Sequence, residues 1–103
     1  MSKTLFHMAL CVSDLDEARS FYVNLLGAKP SRSTAHWLDI NFYGHRLSLH
    51  LGEVPNSTSF GRVDNFEVPV PHFGIILEPS DWRKLAIRLE ESGYPLTITP
   101  MCR

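Results

Sequence analysis

This chain has little of what marks several large classes of protein. It holds only two cysteines, Cys11 and Cys102, at no spacing that suggests a zinc knuckle or a redox motif. A reducing, cytoplasmic setting is therefore the default expectation. No apolar run approaches the roughly 20 residues needed to span a bilayer. Met1-Ser2-Lys3-Thr4 leads straight into an apolar stretch, without the core of a signal peptide. Charge of one sign is also lacking. Ten Lys and Arg stand against eleven Asp and Glu, for a net charge of −1. That balance offers no basic stripe for nucleic acid and no polybasic patch for a membrane. What is present, 44% apolar and 11% aromatic residues in a chain of 103, suits one small globular domain.

Within that domain one pattern occurs twice. His7 lies in the apolar run Leu5 to Val12, followed by an amphipathic segment that ends at Gly27. His72 lies in the run His72 to Leu77, followed by a second amphipathic segment that ends at Gly93. The histidines are 65 residues apart, and the glycines follow them by 20 and 21 residues. A strand-helix unit used twice is the simplest reading.

Leu5 to Val12 predicts a strand with a wholly apolar face of Phe6, Met8, Leu10 and Val12. Its other face is mixed and carries His7, Ala9 and Cys11. Asp14, with Ser13 as the alternative, supplies a helix cap, and Glu17 follows at capping-box spacing. Ala18, Phe21, Tyr22, Leu25 and Leu26 then fall on one helical stripe. Lys29 to Ala35 reads as a loop or a ragged short strand. Trp37 to Phe42 and Arg46 to Leu51 alternate around a turn at Tyr43-Gly44-His45, which predicts a hairpin with an apolar back and a polar front. Gly52 to Val68 reads as a long loop. Ser80 is the expected cap of the second helix, whose buried stripe is Trp82, Leu85, Ala86 and Leu89. Leu96 to Thr99 can form one more strand. The layout is α+β, βαβ(β)β followed by βαβ. In domain terms, 1–54 is a first module, 55–68 a loop, and 69–103 a second module expected to be incomplete.

The chemistry-bearing candidates follow from the faces. His7, His50 and His72 occupy comparable places on strands, and neutral imidazole is the commonest ligand of divalent transition metals. Three histidines from separate strands could hold one ion with positions left open for substrate. Each could equally be a hydrogen-bonded strand residue. His36 and His45 fall at loop or turn positions and are expected to be solvent-exposed. Trp37, Asp39 and Asn41 share one strand face, either as the wall of a substrate pocket or as a solvated sheet face. Cys11 either lines the same pocket or is a small hydrophobe.

The segment Phe6 to Leu15, together with Phe21-Tyr22-Val23-Asn24-Leu25-Leu26-Gly27 and the histidine after Val68-Pro69-Val70-Pro71, resembles the vicinal oxygen chelate superfamily. That superfamily includes glyoxalase I, bleomycin-resistance proteins and extradiol dioxygenases. The resemblance implies paired βαβββ modules, a curved mixed sheet with helices on its convex side, and a divalent metal (Fe, Zn, Ni or Mn) in the cup. His7, His50 and His72 are the implied ligands. The family's fourth ligand, a glutamate on the last strand of the second module, has no counterpart before Arg103. The implied partner is a small oxygen-bearing substrate, acted on by a metal-dependent lyase, isomerase or dioxygenase. A metal-free binding module of the bleomycin-resistance type and an inactive remnant are the alternatives. A strand edge left open by an incomplete module also leads us to expect a homodimer.

Overall fold

The computed structural model describes residues 4–54 and 59–96. It begins with β1 (His7–Val12), which leads to α1 (Leu15–Arg19) and a π-helical continuation (Ser20–Leu25). Three strands follow, β2 (Lys29–Ser33), β3 (Trp37–Phe42) and β4 (His45–Leu51). They form one sheet in the order β1-β4-β3-β2, with β1 parallel to β4 and the other neighbours antiparallel. This is the βαβββ unit expected of the first module, and the α+β class stands.

Each element has a local cause. The Asp14 carboxylate accepts the Glu17 N–H at 3.0 Å, which satisfies one of the free donors at the start of α1. Gly27 closes the helical segment at φ +81°, a conformation that a side chain disfavours. The β3–β4 turn is a two-residue hairpin with Tyr43 at φ 52° and Gly44 at φ 86°, the pair of positive values that matches the twist of the flanking strands. The Asn41 carboxamide oxygen accepts the Gly44 N–H at 2.8 Å and steadies that turn.

The core lies between α1 and the apolar backs of β3 and β4. Leu38, Ile40, Leu47 and Leu49 are 3% exposed or less, and Ala18 and Ala28 close over them. Met8, Leu10 and Val12 pack against this cluster from β1. Burying each large aliphatic side chain here contributes about 1.5–3 kcal/mol.

Four expectations need correction. The helical stripe is not regular: the Leu26 N–H reaches the Phe21 carbonyl five residues back, which widens the turn. Side chains after Ser20 are rotated accordingly. Val23 joins Tyr22 on the core, while Phe21 stacks edge-on against Tyr94 with centroids 5.2 Å apart. The segment read as a long loop contains a hairpin, β5 (Phe60–Val63) with β6 (Phe66–Pro69), in a separate two-stranded sheet. The second helix, α2 (Pro79–Ser92), is preceded by Glu78 rather than capped by Ser80, because Pro79 is already suited to the first helical position. Finally, His72 to Leu77 forms neither strand nor helix, and Ile76 is fully exposed. A strand is defined by its neighbour's hydrogen bonds, and no described strand pairs with this run, although Phe73 packs edge-on against Phe42 with centroids 6.2 Å apart.

α2 ends at Gly93 as expected, with φ +84°. Its Arg88 guanidinium donates to the Leu25 carbonyl at 3.2 Å, which ties it to the helical segment of the first module. Among the described residues, no helix is long and apolar enough to cross a membrane. Thr97 to Thr99 of the expected last strand, and Cys102, lie outside the described residues.

Candidate functional site: the polar face of the four-stranded sheet

α1 covers one face of the sheet, and the opposite face carries the chemistry. Strand register arranges this face in three rows. Lys29, Asn41, Arg46 and His7 are successive in-register partners across β2, β3, β4 and β1. Two residues along the strands, Asp39, Ser48 and Ala9 form the middle row. Trp37, His50 and Cys11 form the third. The four members of the first row are exposed, as are His50 and Cys11.

The middle row differs. Asp39 and Ser48 are each only 6% exposed. The Ser48 hydroxyl donates to the Asp39 carboxylate at 2.6 Å. The Arg32 guanidinium lies 3.6 Å from the other carboxylate oxygen and 5.8 Å from the centre of the Trp37 ring. The Ser31 hydroxyl donates to the Asp39 carbonyl at 3.3 Å. A carboxylate removed from water is costly unless its oxygens are satisfied, and these neighbours satisfy them. The face thus has a fixed polar floor at its centre.

The expected histidines are distributed differently from a single cluster. His7 and His50 share the open face, but His7 is level with Arg46 and His50 with Cys11. Four residues along a strand separate them by about 13 Å, and side chains stand roughly perpendicular to a sheet. His72 is exposed outside any strand, where its Nδ1–H donates to the Pro69 carbonyl at 2.6 Å. Among the described residues, no three His, Cys, Asp or Glu side chains come together in a group able to hold a metal ion. His7, His50 and His72 therefore do not fit one centre built by this chain's described residues alone.

Two other histidine readings differ in outcome. His36 is exposed, as expected. His45 is half-buried instead, because its Nδ1 accepts the Phe6 N–H at 3.0 Å and its ring packs edge-on against Phe6. Cys11, at the edge strand, also borders a cleft of about 300 Å³ shared with Phe21, Tyr22, Val54 and Tyr94. Burial against the core pushes the Tyr22 phenol above its ordinary pKa. A second cleft, about 410 Å³, lies beside the start of α1 and includes Asp14, Arg19, Thr34, Trp37 and Leu51. None of the three candidate histidines lines it.

Sequence reasoning named Trp37, Asp39, Asn41 and Cys11 but passed over Arg46, Ser48, Lys29 and Arg32. Arg46 and Ser48 were readable, since they alternate with the leucines of β4. Lys29 and Arg32 were not, because β2 pairs with β3 through an irregular register between Pro30 and Ser33.

The chain belongs to the Glyoxalase/Bleomycin resistance protein/Dioxygenase superfamily, whose family model matches residues 4–101. A glyoxalase/bleomycin resistance protein/dioxygenase from Alicyclobacillus acidocaldarius is 31% identical, with a TM-score of 0.67 over 89% of this chain. The chain spans 65% of the length of that protein. An integron cassette protein of V. cholerae, 22% identical, matches all of this chain and 77% of its own, with a TM-score of 0.64. A lactoylglutathione lyase from Agrobacterium tumefaciens, 19% identical, covers 94% of this chain and 75% of its own, with a TM-score of 0.60. The last two likenesses concern the fold. No curated protein matches the chain significantly.

Proposed function

We propose that the polar sheet face is a small-molecule binding site, with Trp37, Asp39 and Asn41 on β3 and Cys11 on β1 as contact residues. The observation that carries this reading is the buried Asp39–Ser48 pair in the middle of a largely exposed face. A merely solvated face has no need to bury and satisfy a carboxylate. A rigid polar floor flanked by exposed donors and an aromatic ring is the arrangement that fixes a ligand's orientation. The ligand class is a small oxygen-bearing organic molecule, in keeping with the family.

The test is a thermal-shift screen of small oxygen-bearing compounds, repeated on Trp37→Ala. A compound at 100 times its Kd stabilises the chain by about 2.7 kcal/mol. The variant should lose that stabilisation, and a screen without any such compound overturns the reading.

A second, metal-dependent reading is favoured by one observation. The Nδ1–H of His72 is held by a backbone carbonyl, which leaves Nε2 as the free donor, the orientation usual for a metal-binding imidazole. With His7 and His50 also exposed, a divalent ion would need donors from beyond the described residues or from a second copy. Metal measured on protein purified without chelator decides between the two. Stoichiometric metal that disappears in both His7→Ala and His72→Ala would replace the first reading with the second.

The outer edge of β1 has no strand beside it among the described residues, and Leu5 and Phe6 next to it are exposed. Pairing of two copies along this edge is the proposed dimer, and sedimentation at several concentrations tests it.

A further inference from the structure

We infer that the first row of this face, Asn41–Arg46–His7 with Lys29 at its end, binds an oxyanion: a carboxylate or phosphate group of the ligand. The inference rests on the small-molecule reading above and specifies which chemistry the ligand must carry.

Register is the first argument. Arg46 lies one strand spacing, about 4.8 Å, from both Asn41 and His7. A guanidinium thus stands between an amide and an imidazole on a single level of the sheet. The Asn41 carboxamide oxygen is already occupied by the Gly44 N–H, so its NH2 group is the end left to donate. Every group of this row can present an N–H, and an oxyanion is the ligand that accepts several at once.

Charge is the second argument. The chain as a whole carries −1. Its polar sheet face carries three fixed cations, Lys29, Arg32 and Arg46, against the single carboxylate of Asp39. That carboxylate is buried and already engaged by Ser48 and Arg32. Arg46 and Lys29 have no acidic partner among the described residues. The uncompensated charge therefore sits in the first row, and the floor beside it cannot neutralise it.

The row also gives the ligand a direction. Its anionic end lies over Arg46, and its body runs past Ser48 and Ala9 toward Trp37, a distance of about 13 Å set by four strand residues.

The experiment is an amide-resolved NMR titration with inorganic phosphate and, separately, oxalate. Ionic strength is held constant with chloride, which is also titrated alone. Saturable shifts at His7, Asn41 and Arg46 are expected from both oxyanions and not from chloride. Arg46→Gln should weaken binding about tenfold or more, and its spectrum reports directly whether it is folded. Arg62→Gln, on β5 of the other sheet, should leave binding unchanged. Shifts matched by chloride, or equal in Arg46→Gln, overturn the inference. If a neutral organic compound stabilises the chain through Trp37 while neither oxyanion binds, the oxyanion row is wrong and the wider small-molecule reading stands. If none of these ligands binds, both fall.

Discussion

Two apolar runs, Leu5 to Val12 and His72 to Leu77, have similar composition and opposite fates. In the first, β4 lies alongside, and Met8, Leu10 and Val12 pack on the core. In the second, no described strand pairs with the run: Phe73 keeps a ring contact with Phe42, but Phe73, Ile75 and Ile76 are exposed. The contrast extends to their surroundings. Among the described residues, the βαβββ unit holds six of the seven buried hydrophobic residues, while Ala86 is the one contributed by the region from β5 onward. An apolar pattern marks what a segment can bury, but burial and pairing come only from a neighbour.

The contrast can be broken most sharply at its two extremes. Leu49→Ala, at a residue with 0% exposure, should cost about 2–5 kcal/mol in chemical denaturation. Ile76→Ser, at a fully exposed position, should change stability by no more than about 0.5 kcal/mol. A large loss in the second variant would show that the run is buried in solution, for instance by another copy.

Ser48→Ala sharpens the comparison inside the first unit. It removes the hydroxyl that donates to a buried carboxylate and should cost about 1–3 kcal/mol. A neutral result would mean that water replaces the hydroxyl and that the floor of the polar face is not fixed.

The two helix starts provide a smaller test. Asp14→Ala should destabilise by about 1 kcal/mol, since the carboxylate caps α1. Ser80→Ala should be nearly silent, because no side-chain cap bond is made at the start of α2. Equal losses would put a cap at Ser80 after all.

The smallest expected effect is alkaline. Burial raises the Tyr22 pKa in the folded chain above its unfolded value near 10. The folded state then holds its proton more tightly, so this contribution is complete below about pH 10 and fades as pH rises through the folded pKa. Tyr22→Phe should flatten the fall in stability on that side, as read by denaturation midpoints between about pH 9 and 11.

Much of the first unit was legible because its signals are local. The alternation in Trp37 to Phe42 and Arg46 to Leu51 identified the buried leucines and the polar front. Asp14 and Gly27 marked the ends of the first helical segment. The π-helical turn was not legible, since it changes which residues share a face without changing composition. The β5–β6 hairpin was hidden by the turn-forming residues around it. At the site, the shared face of His7 and His50 was readable from strand period, but their levels on that face were not.

The amino-acid order by itself determined which side chains lie on the same side of each strand, because the pleat alternates with a period of two. It also determined where helices stop, because glycine takes positive φ at little cost. Only the tertiary structure decided which residues stand level with one another. That depends on hydrogen-bonded register between distant strands, and register set Arg46 beside His7, buried Asp39 with Ser48, and kept His50 about four residues away.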